Sequence, residues 1–419
     1  MTNTPSSIRP KRLPGINPLG EFLAAETTGA LFLLAATLAA LAWANSAAAP
    51  AYHDLWATEL ALRAGDRVVI TLDLRHWVNE GLMALFFFVV GLEVKRQLVD
   101  GELADRRKAA LPIVAAVGGM IVPAVIYLAL NVGGPGQRGW GIPIATDIAF
   151  ALGVLALIAP GAPAALRIFL LTVAIADDVG SIVVIAVFYA TDLDLPAIAT
   201  TIALLGAVVA LWRIKAFWSD PPLVVLMVGV WGAVLASGIH PTMAGVALGL
   251  VTPAGPTPAT SPAERLEHSL HPWTSRVVIP LFALANAGIV MDPSAMVAAV
   301  SSPVTVGIVL GLVLGKALGV TGGAYLAVKS GLGSLPKGMR WSQVVAVASL
   351  AGIGFTVSLF IAGLSFADPG MGEQAKVGIL LGSVAASLVG AVLLRLSLRT
   401  TSRVEQASRA PAVARDRTA

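Results

Sequence analysis

Ile168-Phe-Leu-Leu-Thr-Val-Ala-Ile-Ala-Asp177-Asp178-Val-Gly-Ser-Ile-Val-Val-Ile-Ala-Val-Phe-Tyr-Ala190 decides how this chain is read. The run is long enough to cross a bilayer, which takes roughly 20 apolar residues. Its two adjacent aspartates then lie near the membrane midplane. A carboxylate there costs about 2.5–3.5 kcal/mol on insertion scales. Two side by side imply a partner, water or an ion, and so an ion or proton site within a membrane protein.

The rest of the composition agrees. Of 419 residues, 57% are hydrophobic and only 12% charged, against about 25% charged in soluble domains. There are no cysteines, which excludes disulfides, thiolate metal sites and cysteine nucleophiles. The net charge of +4 is small, and neither a nucleic-acid partner nor a cofactor is expected.

Hydropathy predicts an all-α polytopic membrane protein of about twelve transmembrane helices. The spans fall near 26–46, 76–96, 109–131, 141–160, 166–190, 195–212, 221–237, 240–254, 274–291, 303–328, 342–366 and 374–397. Lys and Arg concentrate in the tails and in the connections on the same side. The opposite side holds only Arg63, Arg67, Arg75, Arg138 and Lys376. By the positive-inside rule both termini are cytoplasmic. The first apolar run exceeds a signal-peptide core and reads as a retained anchor. The expected organisation is a cytoplasmic tail (1–25), a transmembrane domain (26–397) and a disordered cytoplasmic tail (398–419). The one sizeable external segment, 47–75, carries a β-hairpin signal around Gly65-Asp66. Its strand edge is a candidate homodimer contact.

Two spans are interrupted, the fourth by Pro143 in Gly141-Ile-Pro-Ile-Ala-Thr-Asp147 and the eleventh by Gly352 and Gly354 in Ala351-Gly-Ile-Gly-Phe-Thr356. Backbone freed at membrane depth is tolerated only where it lines a cavity or is buried in protein. Each broken span is second in its trio, spans 3–5 and 10–12, and the trios start on opposite sides. That pattern predicts inverted-topology repeats.

Four charges fall inside spans: Asp147, Asp177, Asp178 and Lys316. Lys316 is about a dozen residues from either end of its span, so it reads as a buried counter-charge rather than a snorkelling side chain. On a helix Asp177 and Asp178 point about 100° apart, so one is expected to pair with Lys316 while the other faces an aqueous cavity. Adjacent carboxylates in low dielectric resist double ionisation and titrate as a unit. They hold protons or a hard cation, but not both favourably. Asp147 at the broken helix suits either compensation of half-helix ends or direct ligation, and Thr146 offers a further oxygen.

The strings Ala145-Thr-Asp-Ile-Ala-Phe-Ala-Leu-Gly153, Ala176-Asp-Asp-Val-Gly180, Gly91-Leu-Glu-Val-Lys-Arg96, Arg265-Leu-Glu-His-Ser-Leu-His-Pro-Trp273 and Gly352-Ile-Gly-Phe-Thr356 resemble the bacterial NhaA-type sodium/proton antiporters over roughly residues 20–395. The resemblance implies an electrogenic antiporter of the bacterial cytoplasmic membrane, a secondary active transporter and not an enzyme. It would expel Na⁺ or Li⁺ in exchange for protons. It implies two broken helices crossing at the midplane, with Thr146 and Asp147 at the crossing and Pro143, Gly352, Gly354 and Thr356 as elements of the breaks. Asp178 would be the principal Na⁺ ligand and Asp177 its partner in proton exchange. Lys316 would pair with Asp177, compensate half-helix ends, or both. It also implies pH regulation through Glu93, Arg96, Glu267, His268 and His271 at the cytoplasmic mouth, and through His240. Two positions depart from the family pattern. Gln97 stands where an acidic residue is frequent, and Glu80 where an aspartate is usual.

The rival readings demand features of their own. A sodium-coupled solute symporter on a related fold needs a sizeable organic pocket. An intramembrane aspartyl protease needs its carboxylates on different helices. A channel needs a filter or charge ring.

Overall fold

The structure, a computed structural model, describes residues 18–416 except 65–66, 102, 191, 215–220, 256–260, 292 and 337. Most of the expected N-terminal tail and the Gly65-Asp66 turn therefore lie outside the described residues. In hydrocarbon each backbone N–H and C=O must be satisfied within the protein, and these apolar runs do so as helices. Among the described residues six helices are long and apolar enough to span a bilayer. They are Thr27–Ala44, Arg107–Asn131, Ala164–Phe188, Leu195–Arg213, Pro303–Lys329 and Pro369–Arg399. Two bent pairs, Pro135–Ile144 with Ile148–Ile158 (48°) and Trp341–Leu350 with Phe355–Ser365 (49°), raise the number to eight. The chain is a predominantly helical, polytopic membrane protein.

The other four expected spans are shorter than the hydropathy suggests, so length alone does not yield twelve. The second is a π-helical turn, Trp77–Leu82, running into Met83–Val99. The seventh and eighth are Pro221–Ala236 and Thr242–Val251, parted by a turn in which Gly238 takes φ +77°. The ninth is a π-helical turn, Thr274–Val278, followed by Ile279–Asn286. A third π-helical turn, Gly311–Gly315, directly precedes Lys316. Such turns cluster at functional sites.

Two further elements refine the reading. The strands Glu59–Ala64 (β1) and Arg67–Asp73 (β2) pair antiparallel, with an irregularity between Leu62 and Arg63. Trp77 ties the hairpin to the helices by donating from Nε1 to the Leu60 carbonyl (3.1 Å). The last helix runs Pro369–Asp416, through most of the segment expected to lack regular structure. The Ala, Arg, Glu and Gln of 391–410 favour helix, whereas Pro411 within the same helix does not.

Helices in lipid associate by close packing rather than by the hydrophobic effect, which favours small residues at contacts. Here two contacts bring backbones together. A Cβ added at Gly319 would lie 2.2 Å from the Gly118 carbonyl oxygen, and one at Gly245 would lie 2.0 Å from that of Ala84. The first contact holds the helix bearing Lys316 against Arg106–Asn131. The Gly319→Leu substitution should therefore destabilise the fold by at least about 1–3 kcal/mol, the usual cost of overpacking. The check is a clear fall in the melting temperature of detergent-solubilised protein, followed by size-exclusion chromatography after heating.

Candidate functional site

The two bent helices meet at their breaks. At Ala145–Asp147 and Ala351–Gly354 the chain leaves helical geometry, and the two unwound segments run against each other. Asp147 N–H donates to the Ile353 carbonyl at 2.6 Å. Close packing requires both glycines, Gly352 against the helix that leads to Lys316 and Gly354 against the other broken span. A Cβ on Gly352 would lie 2.2 Å from the Leu312 carbonyl oxygen, and one on Gly354 would lie 3.0 Å from that of Ala145. Pro143 lies within the 3₁₀-helical Pro135–Ile144, and the break begins just after it.

A crossing of broken helices brings unsatisfied helix ends into a region without water. The N-termini of Ile148–Ile158 and Phe355–Ser365 carry partial positive charge, and Asp147 answers both. Its Oδ1 accepts from Phe150 N–H (3.0 Å), and its Oδ2 accepts from Thr356 N–H (3.1 Å) and the Thr356 hydroxyl (2.7 Å). At the opposite polarity, the Ala351 carbonyl closes the helix Trp341–Leu350. It lies 2.8 Å from the Thr146 hydroxyl.

Lys316 enters from the neighbouring helix. Its ammonium donates to Asp177 Oδ2 at 2.6 Å and to Thr146 Oγ1 at 3.0 Å. Both members of the ion pair are fully buried. Thr146 Oγ1 is also 2.6 Å from Asp177 Oδ2. Its single proton therefore serves either Asp177 or Ala351 at a time. Lys316 is thus paired with Asp177 and, through Thr146, linked to the carbonyl end of a half-helix. The sequence did not decide between pairing, compensation of half-helix ends, or both, and Lys316 stands beside groups of both kinds.

Asp178 is oriented otherwise. It lines a narrow cleft of about 60 Å³ together with Thr146, Asp147, Thr356, Glu93 and His271. Its Oδ1 is buried and has no hydrogen-bond partner in the protein, as is true of Asp177 Oδ1. Leaving such oxygens bare in low dielectric is costly. A proton, a water or a hard cation is the natural complement.

The remaining candidates divide into separate places. Glu93 and His271 line the cleft. Arg96 and Glu267 form a partly buried ion pair at 2.8 Å, joining the end of Met83–Val99 to Pro262–Trp273. His268 is exposed and is not among the residues lining the cleft. It stands about one helical turn further along Pro262–Trp273 from the cleft than His271. His240 lies elsewhere, with Nδ1 3.3 Å from Glu80 Oε2 and its ring edge-on to Phe360. Glu80, noted in the sequence only as a departure, is thus its immediate acidic neighbour.

Two polar cleft residues are not among the candidates the sequence offers: Thr274 and Ser275, on the π-helical turn. Their only signal is a pair of hydroxyls opening an apolar span just after His271-Pro272.

Bent helices crossing around a buried ion pair, with a second carboxylate on a cleft of ionic dimensions, define a membrane ion transporter rather than an enzyme. The chain belongs to the Na⁺/H⁺ antiporter 1 family, whose model matches residues 20–394. It is 44% identical over 418 residues to the Na⁺/H⁺ antiporter NhaA 3 of Frankia alni, covering 92% of this chain and 90% of that protein. It is 48% identical over 378 residues to the Na⁺/H⁺ antiporter NhaA of Shewanella sp. strain ANA-3, covering 88% and 95% respectively. The NhaA of Shewanella oneidensis matches to the same extent.

The buried pair makes a testable statement about stability. Removing one partner leaves an uncompensated charge, at a cost of about 3–5 kcal/mol. Lys316→Met should therefore lower the thermal stability of the purified protein markedly. Adding Asp177→Asn to it should restore much of the loss, since no charge is then stranded. A melting series of the parent, the two single variants and the pair measures this coupling.

Proposed function

We propose that the protein is an electrogenic Na⁺(Li⁺)/H⁺ antiporter that expels the cation in exchange for more than one proton. The carrying observation is the cleft-facing Asp178, with a bare buried oxygen beside the Asp177–Lys316 pair. One carboxylate in such a place holds either a proton or a cation. Binding of one displaces the other, which is the thermodynamic basis of exchange. Asp178 is the principal Na⁺ ligand, assisted by nearby oxygens of Thr146 and Thr356. Asp177 exchanges a proton as its pairing to Lys316 opens and closes. Asp147 holds the two half-helix N-termini together, so that the crossing persists while access alternates from one side to the other.

The cleft dimensions favour an ion over the alternative cargo. About 60 Å³ suits a dehydrated cation with a water or two, whereas pockets for organic solutes run to about 300–1,000 Å³. A solute symporter is thereby disfavoured. Net inward charge lets the membrane potential drive export, at about 2.3 kcal/mol per charge per 100 mV.

The scheme includes twelve spans in the bacterial cytoplasmic membrane. Spans 3–5 and 10–12 form inverted repeats, both termini are cytoplasmic, and the 47–75 segment lies outside. The β1–β2 hairpin supplies the homodimer contact. Glu93, His271 and the Arg96–Glu267 pair at the cleft mouth, with His240 and Glu80 apart from them, make transport respond to pH.

Purified protein in proteoliposomes with a trapped pH dye tests the proposal. Na⁺ and Li⁺ should each drive proton movement, K⁺ should not, and Asp178→Asn should abolish the response. Cation-driven flux that persists undiminished in Asp178→Asn would remove that residue from the centre of the mechanism. Its complete absence in folded parent protein would overturn the antiport reading.

A further inference from the structure

We infer that Thr274 and Ser275 form a station of neutral oxygens for the cation within the cleft that they share with Asp178. The inference rests on the antiport reading and assigns to it two residues outside the broken-helix crossing. Both line the cleft that contains Glu93 and Asp178, and both are buried, at 3% and 5% exposure.

The local backbone explains how two consecutive residues share one cleft. Neighbours on an α-helix point about 100° apart. Here Thr274–Val278 is a π-helical turn, with Ile279 N–H donating to the Thr274 carbonyl. This widened turn narrows the angle between successive side chains. From behind, the N-terminal helix closes in at Gly29, where an added Cβ would lie 3.1 Å from Ser275 Cβ.

Proton accounting gives the station its sign. A hydroxyl has one proton to donate and two lone pairs. Thr274 Oγ1 donates to the His271 carbonyl at 3.0 Å, and Ser275 Oγ donates to the same carbonyl at 2.9 Å. With both protons committed to the backbone, the hydroxyls present only acceptor lone pairs elsewhere. Neutral, acceptor-only oxygens in a buried cleft that also holds the carboxylates of Glu93 and Asp178 suit a hard cation and repel an anion. Being neutral, they lower the cost of stripping water without trapping the ion as a third carboxylate would.

The experiment is Na⁺- and Li⁺-driven proton flux in proteoliposomes for the parent, Thr274→Val, Ser275→Ala, the two combined, and Thr274→Ser. Valine keeps the shape of threonine and removes its oxygen, whereas serine keeps the oxygen and loses the methyl. The station predicts a Na⁺ KM raised roughly three- to tenfold by Thr274→Val, with maximal rate near the parent's, as expected for lost charge–dipole contacts. The combined variant should exceed either single change, and Thr274→Ser should stay near the parent. Calorimetric Na⁺ titration of the same proteins in detergent should show the same order, and the single variants suffice if the combined one does not fold. Parent-like KM in Thr274→Val and Ser275→Ala, with normal flux in the parent, would overturn the station and leave the antiport intact. So would a Thr274→Ser defect as large as that of Thr274→Val, because packing would then be the role. A folded parent without Na⁺-driven flux would sink the antiport reading itself, and the station with it.

Discussion

The structure depends on one constraint: two helices unwind inside a medium that offers no water to their broken ends. Unwinding leaves positive N-termini and negative C-termini exposed to one another at the crossing. The chain meets this with fixed partners. Asp147 serves the N-termini of Ile148–Ile158 and Phe355–Ser365 together, and Lys316 reaches the Ala351 carbonyl end through Thr146. The unwound segments also bind each other directly, through Asp147 N–H to the Ile353 carbonyl. The breaks are therefore stable features, and the polar groups that stabilise them are also the nearest neighbours of the aspartate pair.

The same arrangement gives two adjacent carboxylates different work. Asp177 is enclosed with Lys316 as its counter-charge, whereas Asp178 lines the cleft. A buried ion pair is weak evidence for stability in itself, because desolvation offsets much of the attraction. Its value here is in specifying position. Lys316 follows a π-helical turn on a helix locked by glycine contacts to Arg106–Asn131, so its ammonium is held against Asp177 and Thr146. With Asp177 so placed, Asp178 is the carboxylate that the proposed exchange assigns to proton and cation.

Much of this was legible in the sequence because buried charge is expensive. Asp147, Asp177, Asp178 and Lys316 stood out against apolar surroundings for that reason alone, as did the prolines and glycines of the breaks. Other features were not legible, for physical reasons. The π-helical turns have no marker in the apolar periodicity, so the shared orientation of Thr274 and Ser275 was invisible. Spans that carry Glu80 or Glu93, or end at Gly238 or Gly288, fall short of the length rule although they pack among the others. The contact between His240 and Glu80 joins residues distant in sequence, and neither predicts the other.

The central claim is that a cation and a proton compete for Asp178. Calorimetric titration of the purified protein with Na⁺, in buffers of matched pH but different ionisation enthalpy, tests it most directly. The account predicts that Na⁺ binding releases protons, so the observed heat changes with the buffer, and that this dependence disappears in Asp178→Asn. Na⁺ binding with a heat independent of buffer in the parent protein, at pH values where it transports, would contradict it.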